Sequence, residues 1–152
     1  MVPFYDAVAP YSYLSWGEST PLGSGLGLIM GAKLAKPDWD AVNIMGEAAF
    51  GMVGMDFETA VRESIPIMTV LINNGVMGGY CKKHPIATER YGVNKLSGDY
   101  AGVVEALGGH AERVEKVSQL VPALERGLQS MRRGKAAMVE VKVAEDFKYP
   151  GT

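Results

Sequence analysis

The chain has 152 residues, 47% of them hydrophobic and 21% charged, which makes one ordinary globular domain with enough apolar material for a core. A formal charge of −2, with no Lys/Arg run, gives no electrostatic case for nucleic acid or an anionic membrane as partner. One cysteine, Cys81, excludes an internal disulfide, and with only His84 and His110 beside it a Cys/His zinc site is not expected.

No apolar run has the length of a membrane span, and no signal-peptide pattern opens the chain, so a cytoplasmic domain is expected. The first twenty residues, rich in Pro, Tyr and Ser, read as irregular, with a short strand possible at Tyr13–Trp16. Gly25 to Lys36 reads as a helix that is apolar nearly all round (Leu26, Leu28, Ile29, Met30, Leu34) and therefore buried, stopped by Pro37-Asp38. Ala41–Met45 is a short buried strand. Asp56 to Ser64 is a second helix, opened by Gly54 and closed before Pro66. The continuous run Ile67–Ile72 has the composition of an interior parallel strand.

After Asn73-Asn74 a glycine-rich loop, Gly75 to Tyr80, leads into an irregular connection reaching Gly98. Asp99 caps a helix with Tyr100, Val103, Val104 and Leu107 on one face, ending at Gly108-Gly109. His110–Val114 fits an edge strand. Ser118 to Arg133 is an amphipathic helix in which Pro122 is tolerable only near the first turn, and Ala136–Val143 is a last strand. Strands alternating with helices predict an α/β domain with a doubly wound, mainly parallel sheet and helices on both faces. Ligands of such sheets sit beyond the carboxyl ends of the strands.

Two stretches are candidates for chemistry. Pro21 to Ala32 is glycine-rich but fails as a dinucleotide fingerprint, because Leu28 or Met30 stands where the third glycine belongs. Gly31-Ala32-Lys33 is followed by Leu34, so a phosphate-binding P-loop fails too; glycines for tight helix packing are the plain alternative. The stronger candidate is a pair of strand ends. Glu47 follows the first buried strand, and Asn73-Asn74 follow the second, with room between for one helix and a return strand. A right-handed crossover puts both ends on the same edge of the sheet. A carboxylate and a carboxamide oxygen are hard ligands suited to Mg²⁺, whose remaining positions go to water and phosphate oxygens. The main-chain N–H groups of Ala48, Ala49 and Phe50 are then placed to meet a diphosphate.

Gly46-Glu47-Ala48 followed by Asn73-Asn74 resembles the diphosphate-binding motif of thiamine diphosphate enzymes, in which Gly-Asp-Gly or Gly-Asp-Ala precedes Asn-Asn by some thirty residues. WGESTPLGSGLGLIMGAKLAKPD and MGEAAFGMVGMDFETAVRESIPIMTVLINN are similar to the carboxyl-terminal cofactor domain of acetolactate synthase-like proteins. The resemblance implies thiamine diphosphate and Mg²⁺ as cofactors, with Glu47, the Asn74 side chain and the Val76 carbonyl as metal ligands. It places Gly46, Ala48, Ala49 and Gly78 along the diphosphate, Leu22 under the bent cofactor, and the Thr20 carbonyl at the aminopyrimidine.

Glu47 departs from the family's Asp; its extra methylene lengthens the side chain by about 1.5 Å, a large change beside a magnesium ligand distance of about 2.0–2.1 Å. The resemblance also implies a pyrimidine-binding domain, in the same or another chain, whose glutamate activates the cofactor. No residue here is therefore expected to be the catalytic base, and His84, Cys81, Tyr80 and Tyr91 read as incidental. The expectation is one domain, 1–152, forming the carboxyl-terminal part of a longer chain and inactive alone. It would self-associate into a homo-oligomer or need a partner, and act on a small 2-keto acid by carbon–carbon cleavage. Two alternatives remain: a nucleotide- or nicotinamide-dependent protein using the same sheet edge, and a non-catalytic remnant whose cofactor binding Glu47 has weakened.

Overall fold

The computed structural model describes residues 5–15 and 21–145. Four parallel strands, β1 (Val42–Gly46), β2 (Met68–Asn73), β3 (His110–Val114) and β4 (Ala137–Lys142), form one sheet in the order β1-β2-β4-β3. Around it lie α1 (Ser24–Ala35), α2 (Glu47–Val53), α3 (Phe57–Arg62), α4 (Tyr80–Lys83), α5 (Pro85–Tyr91), α6 (Tyr100–Ala106) and α7 (Val117–Arg132).

Side chains alternate across the sheet, so each strand feeds two cores. On one face Met68, Val139 and Val114 pack against Ala123 and Met131 of α7. On the other, Met45, Leu71 and Met138 meet Leu26, Phe50, Phe57, Ala60 and Val104, brought by α1, α2, α3 and α6. The Phe50 ring stands edge-on to Phe57 and to Tyr100, with centroids 6.5 and 6.0 Å away. Burial on both faces is what the continuous apolar run of β2 required.

Several expectations need correction. A helix not foreseen follows β1: Gly46, extended, hands straight into α2 at Glu47, because Ala48, Ala49 and Phe50 have an apolar face to bury. A 3₁₀ turn, Gly54–Asp56, then joins α2 to α3. The connection to Gly98 is not wholly irregular, since α4 and α5 occupy it, the latter with Pro85 in its first turn and left-handed Gly92 at its end. Only Leu26 of α1 is fully buried; Leu28 and Leu34 are exposed, so the all-round apolar pattern marks surface rather than core. Pro122 sits in the second turn of α7, not the first. Its side chain is exposed, so the carbonyl it leaves without a donor faces water. Residues 13–15 form no strand, and Trp16 lies outside the described residues. Asp99 caps α6 as expected, its Oδ1 accepting from the Gly102 N–H at 3.0 Å.

Among the described residues no helix is long and apolar enough to cross a membrane. Part of the exposed apolar surface lies on and beside β1. Because α7 spans only β2, β4 and β3, Val42, Ile44 and Ile72 stay exposed on its side of the sheet, and Met52 of α2 and Met55 in the turn after it are exposed too.

The β3–α7 contact is tied by Arg126, which donates to both carboxylate oxygens of Glu112 at 2.6–3.1 Å and holds its carboxyl below the usual glutamate range. Unfolded, that carboxyl binds protons at higher pH than when folded, so its stabilisation is present above the ordinary value and lost as pH falls through the depressed one. Glu112→Gln is expected to flatten the acid limb of a stability–pH profile measured by urea unfolding, with little change in that profile's slope above neutrality.

Candidate functional site

The site starts from register. Gly46, last residue of β1, stands opposite Ile72, the penultimate residue of β2, so the two strands release their next residues side by side at one sheet edge. Glu47 opens α2 and is buried at 3% exposure. Its Oε1 reaches across to the loop after β2, accepting from the Gly75 N–H at 2.7 Å and the Val76 N–H at 3.2 Å. Asn74 Oδ1 accepts from that same Val76 N–H at 3.2 Å. The structure therefore brings Glu47, Asn74 and Val76 together.

The loop's shape follows from its partner. Val76 bridges Lys95 in antiparallel sense, with Leu96 N–H donating to Gly75 O at 2.8 Å and Met77 N–H to Asn94 O at 2.7 Å. Val76 is thus the residue whose own amide groups are not spent on the bridge. In an extended residue N–H and C=O point to the same edge, so the Val76 carbonyl turns to the side on which its N–H meets Glu47. Gly75 makes the turn with φ of +75°, which a residue with a Cβ rarely adopts.

Among the described residues no Lys, Arg or His makes an ion pair with Glu47. A buried carboxylate met only by two main-chain N–H groups remains an electrostatic cost. The negative potential is felt nearby: burial, and then the charges of Glu47 and Glu140, push the Tyr100 hydroxyl up. No group of three or more His, Cys, Asp or Glu side chains able to hold a metal occurs among the described residues. A cation here would rest on one carboxylate, one carboxamide and one carbonyl. Those three hard oxygens fit Mg²⁺, which keeps open positions for water and phosphate.

Beside this edge a small cleft is lined by Leu22, Gly23, Gly25, Asn43, Gly46 and Ala49. Leu22 is exposed at its rim, Ala48 is half-buried and Ala49 buried. A Cβ on Gly25 would come within 2.8 Å of Asn43 Oδ1, so this glycine lets α1 close on β1. Gly78 is exposed, and a Cβ there would meet nothing within 4 Å. Thr20 lies outside the described residues. Cys81 and His84 are exposed, His84 standing edge-on to Tyr80 at 5.2 Å; with Tyr91 they belong to the α4–α5 surface, and no contact joins them to Glu47.

One contributor was missed. Glu140, fully buried in β4, accepts from the side chain of Asn73, the residue just before Asn74. A lone acid inside the apolar run Ala136 to Val143 was the signal that could have exposed it.

The profile of the thiamine pyrophosphate enzyme C-terminal TPP-binding domain matches residues 1–141. The acetolactate synthase large subunit of Mycobacterium tuberculosis is 38% identical over 95% of this chain. A 2-hydroxyacyl-CoA lyase of Oryza sativa is 32% identical over 87% of it. The chain spans about a quarter of those relatives, 26% and 24% respectively. In structure it is similar to a thiamine diphosphate-dependent 4-hydroxybenzoylformate decarboxylase of Rhodococcus jostii, with a TM-score of 0.71 and 23% identity over 82% of this chain and 24% of that one. That likeness concerns the fold.

A site that holds an uncompensated charge costs the free domain stability. Glu47→Gln keeps an acceptor for the Gly75 and Val76 N–H groups while removing the charge, so the ligand-free chain is expected to melt about 2–4 °C higher, as read by calorimetry in the presence of a chelator.

Proposed function

Since the chain belongs to the family of thiamine pyrophosphate enzyme C-terminal TPP-binding domains, we propose that the paired ends of β1 and β2 anchor the diphosphate of that cofactor through Mg²⁺. The observation that carries this reading is the buried Glu47 carboxylate, which has no cationic partner among the described residues and shares the Val76 N–H with Asn74. Glu47, Asn74 Oδ1 and the Val76 carbonyl would be the protein's ligands to the metal. Gly46, Ala48, Ala49 and Gly78 would lie along the diphosphate, their small side chains leaving room for its oxygens near main-chain N–H groups. Leu22 would support the cofactor from the cleft rim, with Thr20 meeting its aminopyrimidine.

When bound, thiamine diphosphate supplies an electron sink for breaking or forming a carbon–carbon bond beside a carbonyl. This chain's own contribution is to bind and orient it. The whole protein of which such a domain is a quarter would act on a small 2-keto acid, as a synthase or decarboxylase in the cytoplasm. The domain alone would be inactive, because the glutamate that activates the cofactor would come from a pyrimidine-binding domain. The apolar side chains left exposed on α1 (Leu28, Leu34), on β1 (Val42, Ile44), on α2 (Met52) and in the turn after it (Met55) support a covering pyrimidine-binding domain or a second subunit, since exposed apolar surface marks contact sites.

A second reading is favoured by one feature: Glu47 Oε1 already accepts two main-chain N–H groups. A carboxylate so committed describes a folded module that holds the cofactor weakly. Titration calorimetry separates the readings. Thiamine diphosphate with Mg²⁺ is expected to bind, chelator to abolish binding, and NAD and ATP to give no heat. Glu47→Asp, which withdraws the carboxylate from the loop N–H groups by about 1.5 Å, is expected to tighten cofactor binding. No binding by either version at millimolar cofactor would establish the module reading.

A further inference from the structure

Asn73 precedes the proposed ligand Asn74 and is itself 3% exposed, too buried to be a ligand of anything in solvent. Its Nδ2 donates to Glu140 Oε1 at 2.7 Å, and its Oδ1 accepts from the Gly75 N–H at 3.1 Å. That N–H is the one that also donates to Glu47 Oε1 at 2.7 Å. Glu140 is the deepest acid of the fold at 0% exposure, in the strand between β2 and β3. Its other oxygen, Oε2, accepts from the Ala101 N–H at 3.1 Å and from Arg113 Nε and Nη2 at 3.2 and 3.1 Å.

A carboxylate paired with a guanidinium can only accept, so it can face only the amide nitrogen of Asn73. The amide oxygen is thereby forced towards Gly75. We propose that Glu140 is a positioning residue of the cofactor site: it fixes the orientation of the Asn73 carboxamide, and through it the loop that carries Asn74 and Val76 against Glu47. The inference rests on the reading of that edge as the magnesium–diphosphate site and adds a residue 67 positions away in sequence from the loop it holds.

The chemistry makes an unusual demand of an isosteric change. In Glu140→Gln the amide oxygen must take the position with three donors, facing Ala101 and Arg113. Its NH₂ then faces Asn73, whose carboxamide has to turn over. An NH₂ would now oppose the Gly75 N–H, donor against donor, and the loop would be pushed from Glu47.

The test follows amide hydrogen exchange of the cofactor-free chain, together with calorimetric titration of thiamine diphosphate and Mg²⁺. Glu140→Gln is expected to speed exchange at Gly75 and Val76 by about tenfold, the effect of one lost buried hydrogen bond, while the amides of α7, on the opposite face, change less. Cofactor affinity should fall by a similar factor. Asn73→Ala removes the carboxamide but leaves Glu140 with Arg113. It should loosen the same two amides, and in its background Glu140→Gln should add nothing to the loop. Unchanged exchange at Gly75 and Val76, an equal rise throughout the chain, or a loosened loop with undiminished affinity would each overturn the proposal. If Glu140→Gln does not fold, Asn73→Ala decides alone by the same readout. Failure of the unaltered chain to bind thiamine diphosphate with Mg²⁺ would instead end the reading of the site, and the exchange data would still report whether Glu140 governs the loop.

Discussion

The geometry of the candidate site hangs on one main-chain N–H. Gly75 donates to Glu47 Oε1 and to Asn73 Oδ1, and so joins a carboxylate at the head of α2 to a carboxamide at the end of β2. Without that shared donor the two strand ends would be neighbours in register but not in chemistry. Gly75 can serve because its positive φ turns its N–H back towards the sheet, and because the bridge to Lys95 pins the next residue from outside. The loop is thereby held from two sides, by Glu47 and Asn73 within and by Asn94 and Leu96 without. A site of this kind gains its precision from backbone that has few alternatives, not from side chains reaching out of a mobile loop.

Two buried glutamates on this side of the sheet show how environment assigns roles. Glu140 is met by a guanidinium, a carboxamide and a main-chain N–H, the full complement that makes a buried charge tolerable. Glu47 is met by two N–H groups and, among the described residues, by no cation. The first is built to stay as it is. The second carries a charge that the described residues leave unmatched. Tyr100, whose hydroxyl is pushed up by burial with help from both acids, registers the potential they create together.

Much of this was legible in the sequence, for identifiable reasons. The unbroken run Ile67–Ile72 could only be an interior strand, and β2 is paired on both edges and packed on both faces, with only Ile72 of the run exposed. Asp99 stood where a cap belonged. Glu47 and Asn73-Asn74 each followed a run read as a buried strand, and parallel pairing of neighbours did the rest, although β1 proves to be buried on one face only. What escaped notice had weak local signals or none. α4 and α5 are short, lack an apolar stripe, and are announced only by Pro85 and Gly92. The tether from Glu140 to Asn73 is a non-local contact, visible in sequence only as an acid where a strand should have been apolar. Asn73 was read only together with Asn74 as an amide pair at the strand end, and its burial depends on a strand, β4, that enters the chain more than sixty residues later.

α1 teaches the opposite lesson, since there the pattern was clear and its meaning differed. A helix apolar on every side has to be covered on every side, and this sheet covers it only along the line of Leu26. Leu28 and Leu34 are left outside on one face of the sheet, as Val42 and Ile44 of the edge strand are on the other, and Met52 of α2 is exposed too. β1, whose outward side chains are left uncovered, is also the strand that ends in Gly46 and hands on to Glu47, so the part of the fold that is unfinished hydrophobically adjoins the part that is unfinished electrostatically. Both deficits would be met by one arrangement. A further protein surface would cover the leucines and close the cleft at Leu22, while a cation with its diphosphate would neutralise Glu47 in the space so enclosed. Covering the apolar surface would also exclude water from the cleft, and that would lower the local dielectric around Glu47. Apolar wall and charged edge would therefore strengthen each other.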